Sequence, residues 1–151
     1  MCLFTGLQGS GKSTFYAKHL APRFAHISLD VLRTRNRERL AIEACLTGGQ
    51  SFVVDNTNPT RPERRRYFEL VQGHGYTVIG CYFRSALAEC LERNARREGA
   101  KRVPDRALAA TSKKLEIPCL DEGFARLWYV HIQDGRFVVA PWQENNTQET
   151  P

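Results

Sequence analysis

Gly6-Leu7-Gln8-Gly9-Ser10-Gly11-Lys12-Ser13 places glycines, a lysine and a hydroxyl at a spacing that suits a polyphosphate. The glycines let backbone N–H groups turn inward around phosphate oxygens. A helix opening at the end of such a loop adds the positive end of its dipole. In this pattern Lys12 reaches the β and γ phosphates, and the Ser13 hydroxyl binds Mg²⁺. Gly6, Gln8, Gly9, Ser10, Gly11, Lys12, Ser13 and Thr14 are therefore the expected triphosphate contacts, Thr14 as support from the helix surface.

Two carboxylates stand at the ends of apolar runs. Asp55 follows Phe52-Val53-Val54 and is a second expected Mg²⁺ ligand, directly or through water. The competing reading is a turn-starting Asp, since Asp55-Asn56-Thr57-Asn58-Pro59 is full of turn formers. Asp30 follows Ile27-Ser28-Leu29, with Arg33 three residues on. Asp is a favoured helix N-cap. It is also a fitting general base for an attacking hydroxyl, with Arg33 orienting it or a nearby phosphate. Arg93, Arg96 and Arg97 lead into a basic stretch at 99–103, placed to close over a γ phosphate. The alternative is a solvated cationic helix end. The four histidines (His19, His26, His74, His131) lack ligand spacing, and two or three of them read as surface or packing residues; Trp128-Tyr129 reads as core strand.

The elements around these residues alternate strand and helix. Strands are expected at 2–5, 26–29, 51–54, 77–83, 127–132 and 136–139, the last two joined by a hairpin turn at Asp134-Gly135. Helices are expected at 13–20, at 30–47 with a stop at Gly48-Gly49, and from the Thr60-Arg61-Pro62-Glu63 capping signal to about Gln72. Two more cover 86–95 and 104–115. This pattern reads as one α/β domain with a mainly parallel sheet, spanning 1–142. Ligands of such sheets lie at the carboxyl ends of the strands, where all the residues above fall. The polar stretch 143–151 reads as a disordered tail.

Composition bounds the partners. The chain has 151 residues, 42% hydrophobic and 25% charged, which suits one globular domain. Its net charge is +6, and arginines group at 33–39, 61–66 and 93–106. That favours a polyanionic partner or a phosphate-rich ligand. No run of ~20 apolar residues is present, so no membrane partner is expected. No secretory signal is expected either, because Met1-Cys2-Leu3-Phe4 runs straight into the glycine motif. Five scattered cysteines without metal spacing point to free thiols in a reducing, cytoplasmic setting. No obligate protein partner is evident.

Together these motifs resemble the kinase domain of the polynucleotide 5′-hydroxyl kinase family, among the P-loop phosphotransferases. The resemblance covers about residues 2–130. It rests on Gly6 to Ser13, on Ser28-Leu29-Asp30 with Arg33, and on Val54-Asp55-Asn56-Thr57-Asn58-Pro59. It continues through Arg93-Asn94 with Arg96 and Arg97, Val103-Pro104, Ile117-Pro118 and Glu122-Gly123-Phe124. The Asp-Asn-Thr-Asn block and the late Glu-Gly-Phe block are its more specific parts. The resemblance implies a P-loop kinase-like three-layer α/β sandwich, with a lid at roughly 93–115. It implies ATP and Mg²⁺, and transfer of the γ phosphate to the 5′-OH end of DNA or RNA. Asp30 would be the general base and Arg33 its acceptor-side partner. Lys12 would hold phosphate, and Arg93, Arg96 or Arg97 would contact the transferring group. Two rival readings keep the cradle: a small-metabolite kinase of the same fold, and an ATP-binding regulatory module that transfers nothing.

Overall fold

The computed structural model describes residues 1–143; the expected tail beyond them, 144–151, lies outside the described residues. Apolar runs form β1 (Cys2–Thr5), β2 (Ala25–Ile27), β3 (Phe52–Val54), β4 (Ile79–Phe83) and β5 (Arg126–Gln133), all parallel. β6 (Arg136–Pro141) returns antiparallel to β5, and the sheet order is β2-β3-β1-β4-β5-β6. The turn at Asp134-Gly135 has φ of 50° and 72°. Positive φ at both central residues is the geometry that matches the twist of a tight hairpin.

Helices cover both faces of the sheet because alternate strand residues are apolar on both sides. Leu3 and Val54 pack with Ile42 of α3 (Arg35–Thr47) and with Tyr67 and Val71 of α4 (Arg61–Val71) once α1 (Lys12–Phe15) and α2 (Leu29–Leu32) have passed. Phe4, Val53 and Phe83 face the other way, onto Phe15 of α1. Tyr82 and Tyr129 pack with Cys90 of α5 (Leu87–Ala95) and Leu108 of α6 (Asp105–Lys113). The result is the expected three-layer sandwich.

Two expected elements differ. The helix expected at 30–47 is broken at Arg33, whose φ is 71°. Thr34 explains the restart, because its hydroxyl accepts from Arg37 N at 3.2 Å and N-caps α3. The basic stretch at 99–103 includes a turn of 3₁₀ helix, Gly99–Lys101, and its base is clasped. Buried Asn94 donates to Val103 O at 2.7 Å and accepts from Val103 N at 3.1 Å. Among the described residues no helix is long and apolar enough to cross a membrane. The five cysteines are free, and the Cys2 and Cys81 thiols meet at 3.6 Å.

Candidate functional site

The glycine loop leaves β1, at the centre of the sheet, and feeds α1. Lys12 is buried within it, donating to Gly6 O at 2.8 Å, Leu7 O at 2.6 Å and Ser10 Oγ at 3.4 Å. These oxygens occupy the ammonium. Burial pushes the Lys12 ammonium down to about 8, with Asp55, Cys90 and Asp30 opposing that fall and Arg97 adding to it. Gly9 has φ +83°, and a Cβ there would lie 2.5 Å from the Cys90 carbonyl oxygen. The loop therefore rests directly on α5, and only glycine fits the contact.

Each residue of the Asp55-to-Asn58 block ties a different part of the site together. Asp55 is buried, and its Oδ2 accepts from His26 Nε2 at 2.9 Å. Its Oδ1 is buried with no hydrogen-bond partner. Asn56 accepts from Leu29 N at 2.9 Å, fixing the entry to α2, and donates to Glu38 Oε1 at 2.6 Å. Thr57 O accepts from Gly6 N at 3.0 Å. Asn58 donates to Phe4 O at 2.7 Å from a φ of 45°. Thus a loop after β3 fixes the cradle after β1 and the helix after β2. The turn-forming composition and the functional reading describe the same residues.

Mg²⁺ asks for few protein ligands, usually one or two oxygens beside substrate phosphates. The unpartnered Asp55 Oδ1 and the Ser13 hydroxyl at the head of α1 fit that demand. Among the described residues no group of three His, Cys, Asp or Glu side chains forms a metal cage of its own.

The N-cap of α2 is Ser28, and Asp30 stands in the first turn. The cap reading of Asp30 is thereby set aside. Its carboxylate is exposed, and among the described residues no hydrogen bond occupies it. Asp30 is close enough to act on the Lys12 charge. Arg33 is exposed at the C-cap of α2.

The three candidate lid arginines separate. Arg93 Nε donates to Gly9 O at 2.6 Å, clamping the cradle backbone to α5. Arg96 points outward, paired with Glu92 one turn back. Arg97 is the one whose charge reaches Lys12. Thr14 is exposed on α1.

Several residues of the site carried no sequence signal. Buried Glu38 accepts from Tyr67 Oη at 2.8 Å and from Arg35 NH1 at 2.8 Å. Burial first, and Glu38 second, hold the Tyr67 phenol above its ordinary pKa. Arg66 lies over the Tyr67 ring at 5.0 Å, and its Nε is buried with no hydrogen-bond partner. No ligand spacing singled out His26, yet it contacts Asp55. Only the apolar run before Asp55 and the strand spacing of His26 hinted that β2 and β3 adjoin.

A family model described as AAA domain matches residues 33–118. The match begins past the cradle, so the glycine motif and the family match are separate observations. The bifunctional polynucleotide phosphatase/kinase of Schizosaccharomyces pombe is 26% identical over 130 residues, 83% of this chain and 32% of that protein. A putative bifunctional polynucleotide phosphatase/kinase of Acanthamoeba polyphaga mimivirus is 34% identical over 80 residues, 52% of this chain and 19% of that protein. The chain thus spans 32% and 19% of the lengths of these curated relatives. Among solved structures, Kti12 of Chaetomium thermophilum in complex with ADP-AlF3 superposes with a TM-score of 0.65 at 16% identity, covering 99% of this chain and 94% of that one. A sugar kinase from Janibacter sp. HTCC2649 gives 0.63 at 18% identity, covering 85% and 83%. These likenesses show the P-loop kinase fold.

Proposed function

The chain belongs to the AAA domain family, and from that premise we propose that it transfers the γ phosphate of ATP to the 5′-OH end of DNA or RNA. The observation that carries the reading is the glycine loop itself: Lys12 is buried in it, and the loop after β3 ties it, through Thr57 O to Gly6 N and through Asn56 to Leu29 N, to the start of α2, where Asp30 stands exposed. In-line phosphoryl transfer needs a phosphate-binding cation and an acceptor-side base held on one frame, and this frame supports that reading. The transition state of such a transfer is stabilised mainly by positioning and by charge.

In this mechanism the Lys12 ammonium exchanges the Gly6 and Leu7 carbonyls for β- and γ-phosphate oxygens. Asp30 accepts the proton of the attacking hydroxyl. Arg97, carried on the 93–115 lid, offsets charge spreading onto the transferring group, while Arg93 keeps the Gly9 loop seated on α5. Ser13 and Asp55 would hold Mg²⁺, which supplies charge neutralisation at the phosphates when bound.

For the acceptor, support comes from Arg33 and Arg66 and from the names of the relatives. Arg35 is neutralised by Glu38, whereas Arg33 and Arg66 have no carboxylate partner among the described residues. A neutral sugar gives those guanidinium groups no counter-charge, and a phosphodiester does. Five free thiols suit a cytoplasmic setting.

The test is a transfer assay with γ-labelled ATP and Mg²⁺ on 5′-OH DNA and RNA oligonucleotides, on 5′-phosphorylated controls and on small metabolites. Label is expected on the 5′-OH strands alone, weakening steeply as salt rises. Asp30→Ala is expected to cut transfer about 10²-fold or more with ATP still bound. Label on a metabolite alone refutes the nucleic-acid acceptor. Bound ATP without any transfer refutes the kinase.

A further inference from the structure

Asp55 is held by a stack of side chains that begins at the cradle helix. His26, on β2, donates to Asp55 Oδ2 at 2.9 Å. The Tyr16 ring lies on the imidazole, 4.1 Å between centroids and 11° between planes. Tyr16 Oη donates to Phe24 O at 2.7 Å, which fixes the ring in turn. Tyr16 opens the π-helical stretch Tyr16–Leu20 that continues α1, with Ala21 N donating to Tyr16 O at 3.0 Å. Such π turns commonly re-aim side chains at functional sites. The helix that begins with Lys12 and Ser13 therefore reaches Asp55 through Tyr16 and His26.

We propose that His26 is a positioning residue for Asp55: by occupying Oδ2, with Tyr16 bracing its ring, it keeps Oδ1 available to the magnesium of a bound nucleotide. The proposal rests on reading the cradle as a Mg²⁺–triphosphate site. The reasoning is steric and electrostatic. A carboxylate on a strand end turns freely unless one oxygen is anchored. Without His26, the buried Asp55 has both oxygens unpartnered, and nothing fixes which of them faces the metal. With Oδ2 anchored, Oδ1 stays with the metal. Hydrogen-bond partners of metal ligands commonly account for 10- to 100-fold in metal affinity.

A purely structural role makes a different prediction, and side-chain shape separates the two. His26→Leu keeps the volume and loses the hydrogen bond. His26→Gln keeps an N–H donor on a flexible stem. The full chain would be saturated with a non-hydrolysable ATP analogue and titrated with Mn²⁺, read by electron paramagnetic resonance. Metal-free affinity for the analogue would be measured alongside, and folding checked by thermal melting. The expected result is a 10- to 100-fold loss of Mn²⁺ affinity in His26→Leu, with metal-free affinity within about twofold and His26→Gln recovering most of the loss. Unchanged Mn²⁺ affinity in a folded His26→Leu overturns the proposal. So does a folded His26→Gln as weak as His26→Leu. Should His26→Leu fail to fold, Tyr16→Leu is expected to lower Mn²⁺ affinity in the same direction, and no loss there overturns the proposal. A parent chain that binds no nucleotide defeats the cradle reading and the proposal with it. A parent chain that binds the analogue but leaves Mn²⁺ no tighter than on free analogue defeats only the metal role of Asp55 and His26.

Discussion

Lys12 offers a prediction with both sign and size. Burial pushes its ammonium down to about 8, against an ordinary value of 10.5. A triphosphate is fully ionised above neutral pH and binds the charged form, so binding draws a proton onto Lys12. From pH 7 to pH 8 the apparent affinity for Mg²⁺–ATP should fall only about twofold. From pH 8 to pH 9 it should fall roughly fivefold, because the charged fraction drops from about a half to about a tenth. At pH 8.5 binding should take up about three quarters of a proton. Titration calorimetry in two buffers of different ionisation enthalpy reads that uptake directly. Arg97 adds to the depression, so Arg97→Met should move the fall in affinity to higher pH. The free chain should show the opposite trend in stability. Between about pH 8 and 10.5 the unfolded chain holds a proton on Lys12 that the folded chain has lost, so this lysine's contribution to stability rises with pH. Flat ATP affinity from pH 7 to 9.5, with no proton uptake, would refute the assignment of Lys12 as the buried phosphate-binding cation.

Two further outcomes separate neighbouring arginines. Arg97→Ala is expected to lower the turnover of phosphate transfer by about 10²- to 10³-fold, whereas Arg96→Ala, an exposed partner of Glu92, should stay within about twofold; equal losses in single-turnover assays would contradict the division of the lid arginines. Arg64 is fully buried, donates twice to Glu122 at 2.7 Å and also donates to Glu116 O at 2.9 Å, so Arg64→Ala should cost about 3–5 kcal/mol in urea unfolding by stranding a buried carboxylate. A loss under about 1 kcal/mol would contradict that account.

The parts legible in the sequence were those in which chemistry and local structure share one short segment. Gly6 to Ser13 is a turn, a helix start and the expected phosphate cradle at once. Apolar Phe52-Val53-Val54 announces a buried strand, and Asp55 its end. The hairpin at Asp134-Gly135 was legible for the same reason, because two adjacent residues fix it. The break at Arg33 was not. Residues 30–47 carry no glycine or proline before Gly48, and a Thr cap inside a helix-forming run is a weak signal next to the run itself. The Glu-Gly-Phe block stood out by resemblance alone; its physical role is the Glu122 grip on buried Arg64, the partners lying 58 positions apart in sequence. His26 and Asp55 lie 29 apart and meet only because β2 and β3 are neighbours in the sheet. No periodicity in one strand reports its neighbour.

The arginine-rich composition was the most ambiguous observation, and the ion pairs give it direction. In the first two arginine groups, Arg35 pairs with Glu38, Arg39 with Glu43, Arg61 with Asp121, Arg64 with Glu122 and Arg65 with Glu69. Those charges build the fold and leave little field outside it. Arg33, Arg37 and Arg66 have no carboxylate partner among the described residues. Arg33 sits three residues past Asp30, Arg37 follows in the first turn of α3, and Arg66 meets Arg35 at the Tyr67 hydroxyl. The uncompensated charge of these two groups thus borders the face where an acceptor would meet Asp30. Exposed pairs are worth little to stability, so their arginines cost little to keep. A buried guanidinium nitrogen without a partner, as in Arg66, does cost folding free energy. What the ion pairs leave over is the charge of Arg33, Arg37 and Arg66, and a phosphate-bearing acceptor is the partner proposed for it.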